Sequence, residues 1–226
     1  MLDFKVKSII HDYEVNFIDD SPAILKKEIR DGDVVIMDQK IKELYPQISA
    51  AISGNNLLID IEAHEKQKSY KGLIPIINKL IGCGFRKNHR LIGIGGGITQ
   101  DITAFTASIM YRGVDWIFFP TTLLAQGDSC IGSKTSINFG KYKNQVGGFY
   151  PPNKIYVDLN FLDTLSPADL QSGLGEMCHY FVLAGKDDFR EYKRNYKTVL
   201  SDKSVLSKMI SRSLAIKKSY IEIDEF

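Results

Sequence analysis

A short apolar strand that runs into three consecutive glycines is the feature that most restricts the fold of this chain. Residues 90–94 read Arg-Leu-Ile-Gly-Ile, which is typical of a strand buried on both faces of a parallel sheet. Gly95, Gly96 and Gly97 follow, and a helical segment begins at Ile98. A turn without side chains lets phosphates approach the backbone, and the free N–H groups of the next helix favour negative charge. Because the spacing is not G-x-G-x-x-G, a tight turn that binds nothing remains an alternative.

A second strand ends near the first and adds polar side chains. Residues 116–119 are apolar, and Thr121 and Thr122 follow them after one proline. Ligands of open α/β sheets bind outside the carboxyl ends of the strands, so both hydroxyls are placed to bind a cofactor, or equally to cap the next helix. Asp101, four residues after the last glycine, could meet a ribose or a nicotinamide, or could simply be an acid favoured by the helix dipole.

Charged and polar residues then recur in a glycine-rich stretch between residues 126 and 148. Asp128 offers an acceptor for substrate hydroxyls, while Lys134, Lys143 and Asn144 supply charge and hydrogen bonds for a phosphate or carboxylate. An isolated lysine is ordinarily a solvent-exposed loop residue. Several polar groups in one glycine-rich stretch favour a binding site instead.

Composition indicates an ordinary globular protein. The chain is 44% hydrophobic and 25% charged with a net charge of +2, so neither a nucleic-acid nor a membrane partner is indicated. It has no run of about 18 apolar residues and no signal-peptide pattern at its start, so we expect a cytoplasmic protein. Its three cysteines, Cys83, Cys130 and Cys178, form no C-x-x-C pair and predict neither a disulfide framework nor a zinc ribbon.

Strand and helix patterns alternate over the first 160 residues, and strand patterns are absent afterwards. The pattern predicts a strand pair over 4–18, a helix over 22–29 and a strand over 34–37. We therefore predict an α/β fold with a Rossmann-like domain and a mainly parallel sheet at 1–160, followed by the start of an α-helical domain at 161–226. Lysines lie opposite an imperfect apolar stripe in the last helical segment, and we expect this stripe to pack on polypeptide outside the chain. The stripe consists of Val205, Met209, Leu214, Ile216 and Ile221.

Four segments match the ordered motifs of one known family. They are GGGITQD at 95–101, YRGVDWIFFPTTLLAQGDSCIGSKTSIN at 111–138, KNQVGGFYPP at 143–152 and FLDTLSPADLQSGLGEM at 161–177. Together they resemble 3-dehydroquinate synthase, a sugar phosphate cyclase. The resemblance implies cyclisation of a seven-carbon 2-keto sugar acid phosphate with loss of phosphate, in a homodimer. It also implies NAD, regenerated in each turnover, and a divalent metal, zinc or cobalt.

The resemblance further implies roles for individual residues. Those expected to line the NAD site are Gly95, Gly96, Gly97, Asp101, Thr121, Thr122 and Thr164, with Glu65 and Lys68 at its adenosine end and Lys143 at the junction with the substrate. Those expected to hold the substrate are Asp128, Lys134 and Asn144, with Arg112 reaching the substrate phosphate of the neighbouring subunit. Glu176 matches the first metal ligand. On local grounds alone, Glu65 is part of a charged turn, Arg112 a helix-end charge and Glu176 a solvated helix residue.

Two departures from the family pattern matter. His179 replaces a lysine and shares one helix face with Glu176, so it could be a further metal ligand, change how the substrate is bound, or be a packing residue. The identity of the sugar phosphate is therefore open. The chain also ends before the family's G-H-T-x-G-H-A segment. We therefore expect the 226-residue chain alone to lack a complete metal site and to be catalytically incompetent unless the remainder is supplied elsewhere.

Three other functions remain open on the sequence. A related cyclase with a different sugar phosphate substrate would share all of these motifs. A metal-dependent NAD alcohol dehydrogenase of the glycerol dehydrogenase type also has a glycine triplet followed by aspartate, but it ordinarily uses aspartate where Glu176 stands. The third possibility is that the chain is not an enzyme but a catalytically incomplete remnant that binds a nucleotide or forms a dimer.

Overall fold

The computed structural model describes residues 3–52 and 56–225, and over these ranges a seven-stranded sheet is flanked by helices. The strands are β1 Phe4–Val6, β2 Tyr13–Ile18, β3 Val34–Asp38, β4 Leu57–Ile61, β5 Leu91–Gly95, β6 Trp116–Pro120, β7 Lys134–Phe139, β8 Tyr142–Phe149 and β9 Lys154–Asp158. The α-helices are α1 Ser21–Glu28, α2 Gln39–Leu44, α3 Pro46–Ala50, α4 Tyr70–Gly82, α5 Gly97–Ile109, α6 Pro167–Ala184, α7 Lys186–Asn195 and α8 Lys203–Ile221. The predicted strand pair, first helix and following strand are confirmed.

The main sheet is parallel except at one edge. Its strand order is β1-β2-β9-β6-β5-β3-β4, and β1 alone among its described strands runs antiparallel to its neighbour. All residues of β5 and β6 are buried, which explains their nearly continuous apolar runs. The chain leaves β3 toward one edge and leaves β5 toward the other. The carboxyl ends of these two strands therefore form a topological switch point, where open α/β sheets bind their ligands.

A two-stranded hairpin, formed by β7 and β8, stands apart from the main sheet. A π-helical turn over Ala125–Ser129 leads into it, and a bridge between Ser69 and Asn138 ties it to the segment before α4. The sequence analysis assigned no strands to this glycine-rich stretch. The hairpin places Lys134 on its first strand and Asn144 on its second.

The last helix packs inward, so the expectation that its apolar face is covered by polypeptide outside the chain is wrong. Met209 and Leu214 are at most 2% exposed and share one core with Leu123 and Met177. This core crosses residue 160, so the division into two domains stays a prediction, although every described element after β9 is helical. Within the described ranges, no helix combines the length and hydropathy that crossing a membrane requires.

A buried cluster of charged residues connects α1 to the amino-terminal ends of the strands. The switch point lies at the opposite, carboxyl ends of the strands. Arg90 donates to Asp33 Oδ2 from Nε at 3.1 Å and from Nη2 at 2.6 Å. Glu28 accepts from Lys154 Nζ and Tyr156 Oη at 2.8 Å each. Burial by itself raises the pKa of Glu28, but the hydrogen bonds from Lys154 and Tyr156 outweigh it and hold this pKa below its ordinary value of 4.5.

We expect the contribution of Glu28 to folding stability to disappear in acid, below a pH of about 4.5. Because the pKa of Glu28 is lower in the folded than in the unfolded chain, its ionisation stabilises the fold above the unfolded-state pKa, and this stabilisation is lost as the pH falls through the folded-state pKa. Urea denaturation of wild type and Glu28→Gln from about pH 3 to about pH 7 measures the effect. The difference in unfolding free energy should be largest near neutrality; a difference that does not depend on pH would contradict the assignment.

Candidate functional site

Three strand ends meet around one cavity at the switch point. The glycine turn follows β5, Thr121 and Thr122 follow β6, and Asp38 ends β3. The Thr121 amide donates to the Gly95 carbonyl at 2.9 Å, which holds two of these turns side by side. The cavity measures about 460 Å³. The predicted cofactor residues that line it are Gly96, Gly97, Thr121, Thr122 and Thr164, so the structure brings these five together.

The glycine turn is shaped for an anionic group. Gly96 is the N-cap of α5 and carries no side chain, so no capping side chain accepts from the first N–H groups of this helix. A Cβ atom on Gly96 would lie 2.9 Å from Cγ2 of Thr122, closer than side chains pack. Free donors beside an open cavity fit the pyrophosphate of a dinucleotide.

The sequence analysis missed other polar residues that line this cavity, among them Asp38, Lys40 and Asp169. Asp38 caps α2 by accepting from the Lys40 amide at 3.0 Å, and burial raises the pKa of its carboxyl. A signal for Asp38 exists in the sequence, because it directly follows the apolar run 34–37 as the glycines follow theirs. Thr164, at the same end, lies with Oγ1 2.9 Å from Tyr45 Oη.

Lys68 and Asp101 form an ion pair just beyond the glycine turn. The Lys68 side chain is 8% exposed and that of Asp101 is 24% exposed. Burial raises the pKa of Asp101, and the hydrogen bond from Lys68 opposes this only in part. The resemblance assigned Lys68 to the adenosine end, whereas Asp101 was expected to meet a ribose or the nicotinamide. The ion pair brings these two predicted residues together.

Glu65 links the hairpin to the segment before α4. It accepts from Asn138 Nδ2 at 2.7 Å and lies 3.9 Å from Lys143 Nζ. Asn138 Oδ1 in turn accepts from the Asn144 amide at 2.9 Å. Asn144 has a φ of 55°, a left-handed conformation that asparagine tolerates better than most residues. The structure therefore brings Glu65, Lys143 and Asn144 together, and it adds Asn138, to which no role was assigned.

Asp128 is held by two residues of the helical part of the chain. Its Oδ1 accepts from Tyr180 Oη at 2.6 Å and from Lys217 Nζ at 2.7 Å. Lys217 also donates to the Asp128 carbonyl at 2.8 Å. The Asp128 and Lys217 side chains are 15% and 17% exposed. The sequence analysis missed both partners, since the lysines of α8 were expected on the side opposite the apolar stripe.

A close approach at Gly173 lets α6 lie against the segment after β6. A Cβ atom there would lie 2.6 Å from Leu123 Cβ and 2.7 Å from the Leu124 backbone nitrogen, and a backbone atom cannot move aside cheaply. A Cβ on Gly175, two residues further along, would meet no atom within 4 Å. The two glycines therefore form a matched pair.

We expect Gly173→Ala to lower the free energy of unfolding by about 1–3 kcal/mol through overpacking. Gly175→Ala should be neutral or should stabilise the protein by up to about 1 kcal/mol, since alanine favours helix. Urea denaturation of both variants gives the comparison. Equal effects of the two substitutions would show that α6 does not rest on this contact.

Arg112, Lys134 and Glu176 stand apart from the other predicted residues. Within the described chain, their side chains form no hydrogen bond or ion pair, and Arg112 and Lys134 are exposed. Arg112 has a φ of 63°, in a tight turn at the end of α5. Glu176 is partly buried and His179 is exposed on α6. Their roles as phosphate and metal ligands stay predictions.

The donor set around Glu176 does not fit a metal ion without further ligands. A search of residues 3–52 and 56–225 finds no group of three or more His, Cys, Asp or Glu side chains that could hold one. A catalytic zinc takes three protein ligands. One carboxylate with one histidine on the same helix face is short of that number.

Comparison with curated proteins identifies 3-dehydroquinate synthases as relatives. The enzyme of Alkaliphilus metalliredigens is 34% identical over 206 residues, which cover 89% of this chain and 58% of that protein. The enzyme of Streptococcus equi subsp. equi is 33% identical over 228 residues, which cover 98% of this chain and 63% of that protein. The chain thus spans less than two thirds of the length of these relatives.

Solved structures share the fold. One is 2-epi-5-epi-valiolone synthase from Streptomyces hygroscopicus subsp. jinggangensis with NAD⁺ and Zn²⁺ bound, at a TM-score of 0.82 and 22% identity, covering 97% of this chain and 63% of that one. Another is 2-deoxy-scyllo-inosose synthase complexed with carbaglucose-6-phosphate, NAD⁺ and Co²⁺, at a TM-score of 0.83 with the same identity and coverage. Glycerol dehydrogenase from Schizosaccharomyces pombe aligns less closely, at a TM-score of 0.61 and 20% identity, covering 88% and 57%.

A family model described as 3-dehydroquinate synthase N-terminal matches residues 58–172, just over half of the chain. These residues include the glycine turn, both threonines after β6, the hairpin and the first turn of α6. The resemblance stated from the motifs is thereby confirmed. The chain belongs to the 3-dehydroquinate synthase family.

Proposed function

We propose that this chain carries the NAD-binding site and the main substrate-binding residues of a sugar phosphate cyclase of the 3-dehydroquinate synthase type. The observation that carries the proposal is the uncapped glycine turn beside a cavity at the switch point of the sheet. The relatives' names and the NAD⁺ in the solved cyclases support the same conclusion. The reaction is cyclisation of a seven-carbon 2-keto sugar acid phosphate with loss of phosphate.

Different residues of the site bind different parts of a dinucleotide. Backbone N–H groups at Gly96 and Gly97 bind the pyrophosphate, and the Asp38 carboxylate accepts from hydroxyls of a ribose. Glu65 and Lys68 hold the adenosine end, and Asp101, which is paired with Lys68, meets a ribose or the nicotinamide. When bound, NAD⁺ would supply a reversible hydride acceptor: oxidation of the ring carbon that bears a hydroxyl would give a ketone, which makes the neighbouring C–H acidic enough for phosphate to leave.

The hairpin and Asp128 supply the substrate contacts in this proposal. Lys134 and Lys143 are exposed lysines on β7 and β8, suited to the phosphate of a sugar. The Asp128 carboxylate accepts hydrogen bonds from the sugar hydroxyls, and the Asn144 side-chain amide donates hydrogen bonds to them. Glu176 would provide one ligand to a divalent metal, zinc or cobalt.

We also propose that a second copy of the chain docks on one face of α4 and the end of α5. Apolar side chains that are between 42% and 61% exposed cover this face, namely Tyr70, Ile74, Ile81, Ile109 and Tyr111. Arg112 directly follows Tyr111 of this patch, so the dimer would place Arg112 at the boundary with the neighbouring subunit. In sedimentation equilibrium, Ile74→Glu should shift the protein from dimer to monomer, whereas Ile9→Glu, at an exposed isoleucine of the β1–β2 loop, should not. A wild-type monomer would rule out this arrangement.

A second candidate is a related cyclase that uses a sugar phosphate without a carboxylate. His179 favours it, because a histidine, which is shorter than lysine, replaces the lysine that 3-dehydroquinate synthases carry three residues after Glu176. Phosphate release by the natural gene product, with NAD and zinc, separates the two when it is offered the 2-keto sugar acid phosphate and, separately, a hexose 6-phosphate. Release from the first alone supports the main proposal. Release from the second alone would replace it with the second candidate.

A further inference from the structure

Tyr180 contacts Asp128, which is proposed to bind the substrate and not the cofactor. It lies one helical turn after Glu176 on α6, and its Oη donates to Asp128 Oδ1 at 2.6 Å. The ammonium of Lys217 donates to the same oxygen at 2.7 Å and lies 6.0 Å from the centre of the Tyr180 ring. One carboxylate oxygen thus receives two strong donors from two different helices.

The arrangement leaves the other oxygen of Asp128 for a ligand. Within the described residues, Oδ2 of Asp128 accepts no hydrogen bond. A carboxylate whose Oδ1 is fixed at two points cannot rotate freely about its last bond, so the direction of Oδ2 is fixed as well. Fixing an acceptor in advance lowers the entropy lost when it binds a hydroxyl.

Tyr180 is suited to remain a donor at every working pH. Burial raises the pKa of its phenol, and the hydrogen bond to Asp128 and the charges of Asp128 and Glu176 raise it further. The phenol therefore keeps its proton and donates it in a hydrogen bond to Asp128.

Tyr192, on α7, provides the comparison within the same helical part. It is 5% exposed, and its Oη donates to the backbone carbonyl of Leu174 at 2.8 Å. Burial raises the pKa of this phenol too. Each phenol donates a hydrogen bond to an oxygen, but only Tyr180 donates it to a residue proposed to bind substrate.

We infer that Tyr180 is a positioning residue, which together with Lys217 orients the Asp128 carboxylate so that Oδ2 accepts from a substrate hydroxyl. The inference rests on the proposed function, because it takes Asp128 as a substrate ligand. It adds a residue for which the sequence analysis predicted no role. Tyr180 itself touches no reacting atom.

Tyr180→Phe in the natural gene product tests the inference, with Tyr192→Phe as the matched control. Losing a hydrogen bond to a charged group should raise KM for the sugar phosphate by about tenfold. The value of kcat should change less, because Asp128 would bind the ground state and the transition state alike. Affinity for NAD⁺ should stay within about twofold of wild type in both variants. Tyr192→Phe should leave KM unchanged.

A second readout needs no activity. In protein labelled with ¹³C at the ζ carbon of tyrosine, the signal missing from Tyr180→Phe belongs to Tyr180. This signal should keep its protonated shift at alkaline pH in wild type and should titrate at lower pH in Asp128→Asn, because the carboxylate that raises the pKa of the phenol is gone.

The outcomes separate the inference from the proposed function. An active wild type whose KM is unchanged by Tyr180→Phe, or is raised equally by Tyr192→Phe, would overturn the inference alone. A Tyr180 signal that titrates identically in wild type and Asp128→Asn would overturn the contact itself. A wild type that releases no phosphate from any sugar phosphate would overturn the proposed function, and the inference with it.

Discussion

Replacing Arg90 with methionine should lower the free energy of unfolding by about 3–5 kcal/mol, because it leaves a buried carboxylate without its charged partner. Asp33 is 1% exposed and Arg90 is 6% exposed. Two backbone amides, those of Arg30 and Arg90, still donate to Asp33 at 2.9 Å each, which keeps the loss within this range. Since the cluster lies at the amino-terminal ends of the strands, NAD⁺ affinity of the folded variant should match that of wild type.

Urea denaturation measures this loss against an exposed pair of the same type. Arg190 and Asp187 pair at 2.8 Å, with side chains 71% and 94% exposed. Arg190→Met should change the free energy of unfolding by no more than about 0.5 kcal/mol. If Arg90→Met and Arg190→Met lower the free energy of unfolding by the same small amount, the buried cluster does not stabilise the fold in this way.

Replacing Gly96 with valine should weaken NAD⁺ binding at least about a hundredfold, or roughly 2.7 kcal/mol. Even a single Cβ atom at this position would press on Thr122, at 2.9 Å, and a branched side chain would occupy the space that the phosphates need. Helix N-termini bind phosphates through backbone N–H groups that must be approached closely.

Gly82→Val is the matched control, because a Cβ atom on Gly82 meets nothing within 4 Å and this residue ends α4, outside the cavity. Isothermal titration calorimetry with NAD⁺ compares both variants with wild type. Gly82→Val should bind as wild type does. If Gly96→Val also retained wild-type affinity, the pyrophosphate would have to bind elsewhere.

The site near the glycine turn could be predicted from the sequence because the signal for each of its parts lies within a few consecutive residues. An apolar run followed by glycines, or by threonines, marks the end of a buried strand, and parallel strands bring their ends together. The same rule would have found Asp38 after β3. The hairpin could not be found this way, since almost every residue of β8 is exposed and no alternation of apolar and polar residues marks it.

The contacts of Asp128 escaped the sequence analysis because one lysine of α8, Lys217, lies on the inward side of the helix. Inward-facing residues of α8 include Leu206, Ile210, Ser213 and Lys217, which follow one another at spacings of three and four. The predicted stripe does face the core, since Met209, Leu214 and Ile216 are buried and Val205 and Ile221 are partly buried, but the lysines of the helix were all placed opposite it. A lysine at an inward position is a signal for a buried charge partner. Its partner, 89 residues away, could only be found in the structure.

The most direct measurement of the central claim follows inorganic phosphate and NADH in one reaction of the natural gene product with the seven-carbon 2-keto sugar acid phosphate, NAD⁺ and zinc. A cyclase that regenerates its cofactor should release phosphate continuously while NADH stays far below it, and substoichiometric NAD⁺ should suffice. NADH that accumulates in step with substrate consumption, without phosphate release, would contradict the account and indicate an alcohol dehydrogenase.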